Sequence, residues 1–182
     1  MLGFNRRFAP LAVQLKDFVA PVRESLLMHY RVNGGYIPLN NWIQDPAIGG
    51  GRLIGEVCHF VDFLSFLTGE SPLSVYAQAL PNSGRYADDN LSLTLRYPNG
   101  SLGTITYAAN GDKALGKERL EIFGGGRTAV LEDFRQLHMV YRGKRRVARL
   151  RLRQDKGHLG EWQALTHVIK EGKPTPIDFV DI

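Results

Sequence analysis

Leu91-Ser92-Leu93-Thr94-Leu95-Arg96-Tyr97-Pro98-Asn99-Gly100 is the stretch that decides the fold class. Leu91, Leu93, Leu95 and Tyr97 fall on one side of an extended chain and Ser92, Thr94 and Arg96 on the other. Pro98-Asn99-Gly100 then turns the chain back into a second strand over Leu102 to Tyr107, which predicts a hairpin with one apolar face. Further along, Leu120 to Phe123 and Ala129 to Phe134 flank Gly124-Gly125-Gly126, which reads as a turn because no helix follows it to make a phosphate cradle. Upstream, Ser25 to Asn33 reads as a strand, Gly34-Gly35 as a break and Tyr36 to Pro46 as an irregular loop. Three helices frame this strand-rich middle. The first has its apolar period at Phe8, Leu11, Leu15 and Phe18, with Pro10 in the first turn. The second runs from Leu53 to Leu67 and stops at Gly69. The third, from Gly157 to Lys170, puts Leu159, Trp162, Leu165 and Ile169 on one face and stops at Gly172. Helices at both ends of a long run of strands predict one α+β domain over residues 1–182, a largely antiparallel sheet with helices on one face. The other sheet face carries outward apolar positions, which predicts a homo-oligomer formed through it.

Composition narrows the class. At 182 residues the chain can bury a sizeable core. No apolar run approaches the roughly 18 residues that cross a bilayer, and Gln14, Lys16 and Asp17 interrupt what would be an export signal after Arg6-Arg7-Phe8, so the expected location is the cytoplasm. Cys58 is the only cysteine, which excludes an intrachain disulfide and reads as a small buried residue. His29, His138, His158 and His167 show no metal-ligand spacing, and no metal is expected. The net charge of +5 originates between Arg142 and Arg153, where seven basic residues stand with no acidic one. Arg145, Val147, Arg149, Arg151 and Arg153 alternate there with Arg146, Ala148, Leu150 and Leu152, and no aromatic residue interleaves to stack a base. The segment reads as a solvated or intersubunit strand, and nucleic acid is not expected as a partner.

Chemistry concentrates in Gly49-Gly50-Gly51-Arg52-Leu53-Ile54-Gly55-Glu56-Val57-Cys58-His59-Phe60-Val61-Asp62. At helical spacing Val57, Val61 and Leu64 share one face, while Glu56, His59 and Asp62 form a polar stripe. An imidazole suits proton transfer near neutral pH, so His59 is the candidate acid/base, with Glu56 three positions back to orient it. Cys58 points about 100° away, against a Cys-His nucleophile pair.

This stretch resembles the motif of the Gfo/Idh/MocA oxidoreductases, glucose-fructose oxidoreductase, inositol dehydrogenase and relatives. That motif is a glycine run followed by Asp, then His four residues later, then Asp three further. His59 and Asp62 match it; Gly55 stands at the first Asp, and Glu56 one residue on is the candidate replacement. Gly3-Phe4-Asn5-Arg6-Arg7-Phe8, Asn41-Trp42-Ile43-Gln44-Asp45-Pro46 and Asp155-Lys156-Gly157-His158 extend the likeness to the family's C-terminal domain over nearly the whole chain. It looks most like a branch in which a zinc-type alcohol dehydrogenase-like portion precedes the oxidoreductase. The resemblance implies the C-terminal fold shared with dihydrodipicolinate reductase and glyceraldehyde-3-phosphate dehydrogenase. It also implies a partner Rossmann domain that binds NAD or NADP and supplies a catalytic Lys. This chain has neither, so it is expected to be the substrate-side half of an oxidoreductase for a sugar, cyclitol or sugar-derived substrate, inactive and without dinucleotide binding alone. Within that reading His59 and Glu56 are catalytic, and Arg7, Trp42, Asp45 and Asp62 face the substrate. The alternative is a noncatalytic sugar-binding or oligomerisation module.

Overall fold

The alternation that begins at Leu91 belongs to an eight-stranded sheet in the order β2-β3-β4-β1-β5-β6-β7-β8. The strands are β1 (Leu27–Asn33), β2 (Ser74–Ala79), β3 (Asn90–Arg96), β4 (Leu102–Ala108), β5 (Glu118–Gly124), β6 (Arg127–Glu132), β7 (Gln136–Tyr141) and β8 (Lys144–Arg149). The structure is a computed structural model and describes residues 3–150 and 153–177. Neighbouring strands run antiparallel throughout, except that β1 lies parallel to β4. The α+β expectation holds, with the hairpin at Pro98 and the turn at Gly124 where the sequence places them.

The pleat sends alternate side chains to opposite faces. Met28, Tyr30, Leu95, Ile105, Leu120, Ile122, Leu131 and Leu137 are buried on one face. Helices α1 (Pro10–Val19) and α2 (Cys58–Thr68) cover it, inserting Leu11, Leu15 and Val19 from the first and Phe60, Phe63, Leu64 and Leu67 from the second. Each fully buried Leu or Phe contributes roughly 1.5–3 kcal/mol by leaving water. On the opposite face the register aligns Leu102, Leu27 and Phe123 across β4, β1 and β5, and all three are exposed. Beside them runs a mixed row of Thr94, Thr104, His29, Glu121, Val130 and His138.

Two expectations need correction. The third helix, α3 (His158–Glu171), does carry Leu159, Trp162 and Ile169, but these are exposed, and the helix packs chiefly against a 3-10 turn at Asn5–Phe8 instead of the sheet. The second helix runs without a break but is not α throughout: Leu53–Val57 winds as a π turn that passes directly into α2. Cys58, at that junction, is half-buried and donates through Sγ to the Ile54 carbonyl at 2.9 Å. The basic strand ends the sheet as β8, an edge whose Lys144, Arg145 and Arg146 are exposed, the charge that natural edges use to discourage further pairing. Arg151 and Leu152 of the anticipated strand lie outside the described residues. Among the described residues no helix is long and apolar enough to cross a membrane.

Candidate functional site

The glycine run is a steric requirement. A Cβ on Gly49 would lie 2.5 Å from Ile43 Cα and 2.6 Å from the Trp42 carbonyl, and Gly50 and Gly51 hold φ of +70° and +72°. Asp45 builds this corner: its Oδ1 accepts from Ala47 N at 2.8 Å and its carbonyl from Ile48, Gly49 and Gly50. The corner seats the 3-10 turn Trp42–Gln44 beside the π turn, and between them opens a cavity of about 750 Å³. Trp42, Arg52, Glu56 and His59 line it from this side; Asn5 and Arg6 line it from the N-terminal turn, Lys117 from the residue before β5, and Lys156, His158 and Glu161 from the start of α3. Its size is in the range of small-molecule sites.

Two charge networks hold the wall. In the first, Glu56 accepts from Arg52 Nη2 at 2.9 Å, from Tyr107 Oη at 2.5 Å and from Lys117 Nζ, while Arg52 Nε donates to Tyr107 Oη at 2.5 Å. Burial pushes the Glu56 carboxyl up, but the hydrogen bonds from Lys117 and Tyr107 and the charges of Lys117 and Arg52 outweigh it and hold the group below its ordinary value. In the second, Glu118 takes Arg6 in a two-point pair at 2.9 and 3.0 Å, Lys156 Nζ at 2.6 Å and Tyr30 Oη at 2.5 Å. Burial opposes ionisation here too, yet Arg6 and Lys156 bring the Glu118 carboxyl down to about 2.

His59 stands between these networks, its ring edge-on to Phe4 with centroids 5.6 Å apart. Desolvation first, and the Arg6 charge second, lower its pKa below the ordinary imidazole value, with Glu56 and Glu118 opposing. The ring is therefore neutral at physiological pH and able to accept a proton.

The anticipated polar stripe is divided. Glu56 and His59 share the cavity, but Glu56 bonds Arg52, Tyr107 and Lys117 and makes no hydrogen bond to His59. The π turn is the reason: it winds more residues into each turn than an α-helix, so a side chain three positions back falls further round the axis. Asp62, one turn beyond His59, is buried against Arg7, whose Nε donates to Oδ1 at 2.7 Å. Of the substrate-side candidates, Trp42 lines the cavity and is 62% exposed, whereas Arg7, Asp45 and Asp62 are not among the lining residues. Sequence reasoning chose Arg7 from the pair Arg6-Arg7, and nothing in the sequence separates them; the 3-10 turn aims Arg6 at Glu118 and Arg7 at Asp62. Glu118 had a signal. It shares the phase of Leu120 and Ile122, so a carboxylate was due on the buried register of β5 and needed a cation.

The sequence profile of the GFO/IDH/MocA C-terminal domain matches residues 24–130. Glucose-fructose oxidoreductase domain-containing protein 1 of Mus musculus is 31% identical over 80 residues, which is 42% of this chain and 20% of that protein. Levoglucosan dehydrogenase, solved with NADH and levoglucosan, superposes with a TM-score of 0.81 at 20% identity over 100% of this chain and 60% of that one. An oxidoreductase domain protein from Kribbella flavida gives 0.80 at 20% identity over 98% of this chain and 60% of its own. The match thus spans about a fifth of the mouse relative, and the chain about three fifths of each solved structure. With its profile matched over more than half its length and its fold superposing on such enzymes, the chain belongs to the GFO/IDH/MocA C-terminal domain family.

Proposed function

We propose that this chain forms the substrate side of an NAD(P)-dependent oxidoreductase acting on a sugar, cyclitol or sugar-derived alcohol, in the branch whose polypeptide also carries a zinc-type alcohol dehydrogenase-like portion. The observation that carries the proposal is a neutral, half-buried histidine on the wall of a cavity of small-molecule size, next to an exposed indole. An indole face and charged hydrogen-bonding groups suit a polyhydroxylated ligand. In oxidation a hydroxyl must lose its proton as hydride leaves the same carbon, and His59 is the group placed to take that proton. Glu56 acts at one remove by fixing Arg52, Tyr107 and Lys117 in the cavity wall. Asp62, through Arg7, ties α2 to the N-terminal turn and so sets where His59 stands, and Asp45 sets where Trp42 stands.

The residues described here do not fit a dinucleotide. A dinucleotide cradle needs a glycine turn leading straight from a strand into a helix, and the Gly49 turn is separated from β1 by a loop holding Trp42. The nicotinamide is therefore assigned to a separate cofactor domain. Calorimetry tests the division: this chain should give no heat with NADH or NADPH, while a polypeptide extended by a cofactor domain should bind one of them and oxidise a polyol. Tight NADH binding by this chain would defeat the assignment, and saturable sugar binding without oxidation in the extended protein would make the domain a noncatalytic module.

The uncovered face of the sheet, with Leu102, Leu27 and Phe123 exposed in one row, is where we place contact with a second copy. Sedimentation at micromolar concentration should show a dimer or larger species, and Leu27→Lys should shift it to monomer. A wild-type chain that sediments only as monomer would sink this placement.

A further inference from the structure

The cavity holds more positive charge than a neutral sugar would call for, and the inference drawn from that excess rests on the sugar oxidoreductase reading. Arg6, Arg52, Lys117 and Lys156 all line it. Among the described residues two carboxylates are bonded to them: Glu56 is shared by Arg52 and Lys117, and Glu118 by Arg6 and Lys156. The remaining lining carboxyl, Glu161, is pushed above its ordinary value by burial and forms no ion pair with any of the four cations among the described residues. Asp89, another acid close enough to feel Arg52, accepts from Asn90 through Oδ1, while its Oδ2 is buried without a hydrogen-bond partner among the described residues.

Arg52 is the sharper observation. It is 3% exposed, and while Nε and Nη2 are engaged by Tyr107 and Glu56, Nη1 is buried with no acceptor. A guanidinium N–H taken from water without an acceptor is costly, and its best complement is a carboxylate or phosphate oxygen, which the planar fork of Arg matches in geometry as well as charge. A bare backbone passes beside it, for a Cβ on Gly34 would lie 2.6 Å from Arg52 Nη2. Lys117, with over a third of its side chain exposed, can turn a second donor toward the same ligand.

We propose that the ligand of this cavity is a sugar bearing an oxyanion, a carboxylate or a phosphate, and that Arg52 and Lys117 are the residues that select it. The negative group docks on Arg52 with Lys117 alongside, while a hydroxyl elsewhere on the ring meets His59.

The test is a titration of the chain with glucose, glucuronate, glucose 6-phosphate, inorganic phosphate and NADH, followed by calorimetry and by Trp42 fluorescence with Trp162→Phe as background. Glucuronate or glucose 6-phosphate should bind on the order of tenfold or more tighter than glucose, and whichever is tighter identifies the oxyanion. Arg52→Met should erase that preference. Because Arg52 also supports Tyr107, Lys117→Met at the more exposed position provides a second variant, expected to reduce the preference several-fold with the circular dichroism spectrum unchanged. Equal binding of glucose and both charged sugars would overturn the oxyanion inference and leave the sugar reading standing. Inorganic phosphate or NADH binding as tightly as any sugar would do the reverse, keeping an anion site and removing the sugar from it. Silence from every titrant, or a Lys117→Met variant with an undiminished preference, would overturn the proposal.

Discussion

Replacing Glu118 by Gln lowers the stability of the fold by about 3–5 kcal/mol, the cost of removing one partner from a buried ion pair and leaving the other charged. Arg6 and Lys156 both lose their carboxylate, and Arg6 is itself only 6% exposed, stacked over the Phe60 ring at 4.6 Å. Urea denaturation checks the size of the loss. The pH dependence checks its origin. With its carboxyl held at about 2 in the fold and roughly 4.3 when unfolded, Glu118 contributes fully above the unfolded value and loses that contribution as pH falls toward 2. The contribution is on the order of 3 kcal/mol, so the wild type should lose stability steeply across that acid window and the Gln variant should lose much less. A Gln variant within 1 kcal/mol of wild type, or one with the same acid limb, would remove the network from the stability account.

His59→Ala in the complete oxidoreductase should lower turnover by roughly 100-fold or more, the range for losing a positioned general base. The effect belongs in kcat more than in KM, since the proton leaves only as the reaction proceeds. The acid limb of kcat/KM for alcohol oxidation reports the same group: the base must be neutral, so activity falls as pH drops through the His59 pKa. Desolvation and Arg6 place that pKa below the ordinary imidazole value of about 6.5. In Arg6→Met the limb should move to higher pH. Unchanged turnover in His59→Ala would take His59 out of the mechanism.

The hairpin strands were legible because each has one buried face, which writes a period of two into the sequence, as Leu91, Leu93 and Leu95 show, whereas β2 is exposed along its whole length and carries no such period. The first helix was legible for the same reason at a different period. The placement of α3 was not, since Leu159, Trp162 and Ile169 have the pattern of a buried stripe and yet stay exposed; periodicity reports which residues share a side, not what covers it. At the site, His59 was named from its helical spacing and Trp42 from the family resemblance, and both line the cavity. Lys117, Lys156 and Tyr107 were not, because what unites them is two shared carboxylates contributed by distant segments. The displacement of Glu56 away from His59 escaped as well, since nothing in Leu53-Ile54-Gly55-Glu56-Val57 announces a π turn.

The strand order has a consequence for how the chain reaches this structure. β2-β3-β4 and β5-β6-β7-β8 are each runs of neighbours in sequence, and short loops make their closure entropically cheap. Their common neighbour is β1, which is synthesised before either and must lie between β4 and β5. The two meanders are joined only through the earliest strand, and its pairings with β4 and β5 span large sequence separations, the kind of contact that slows folding.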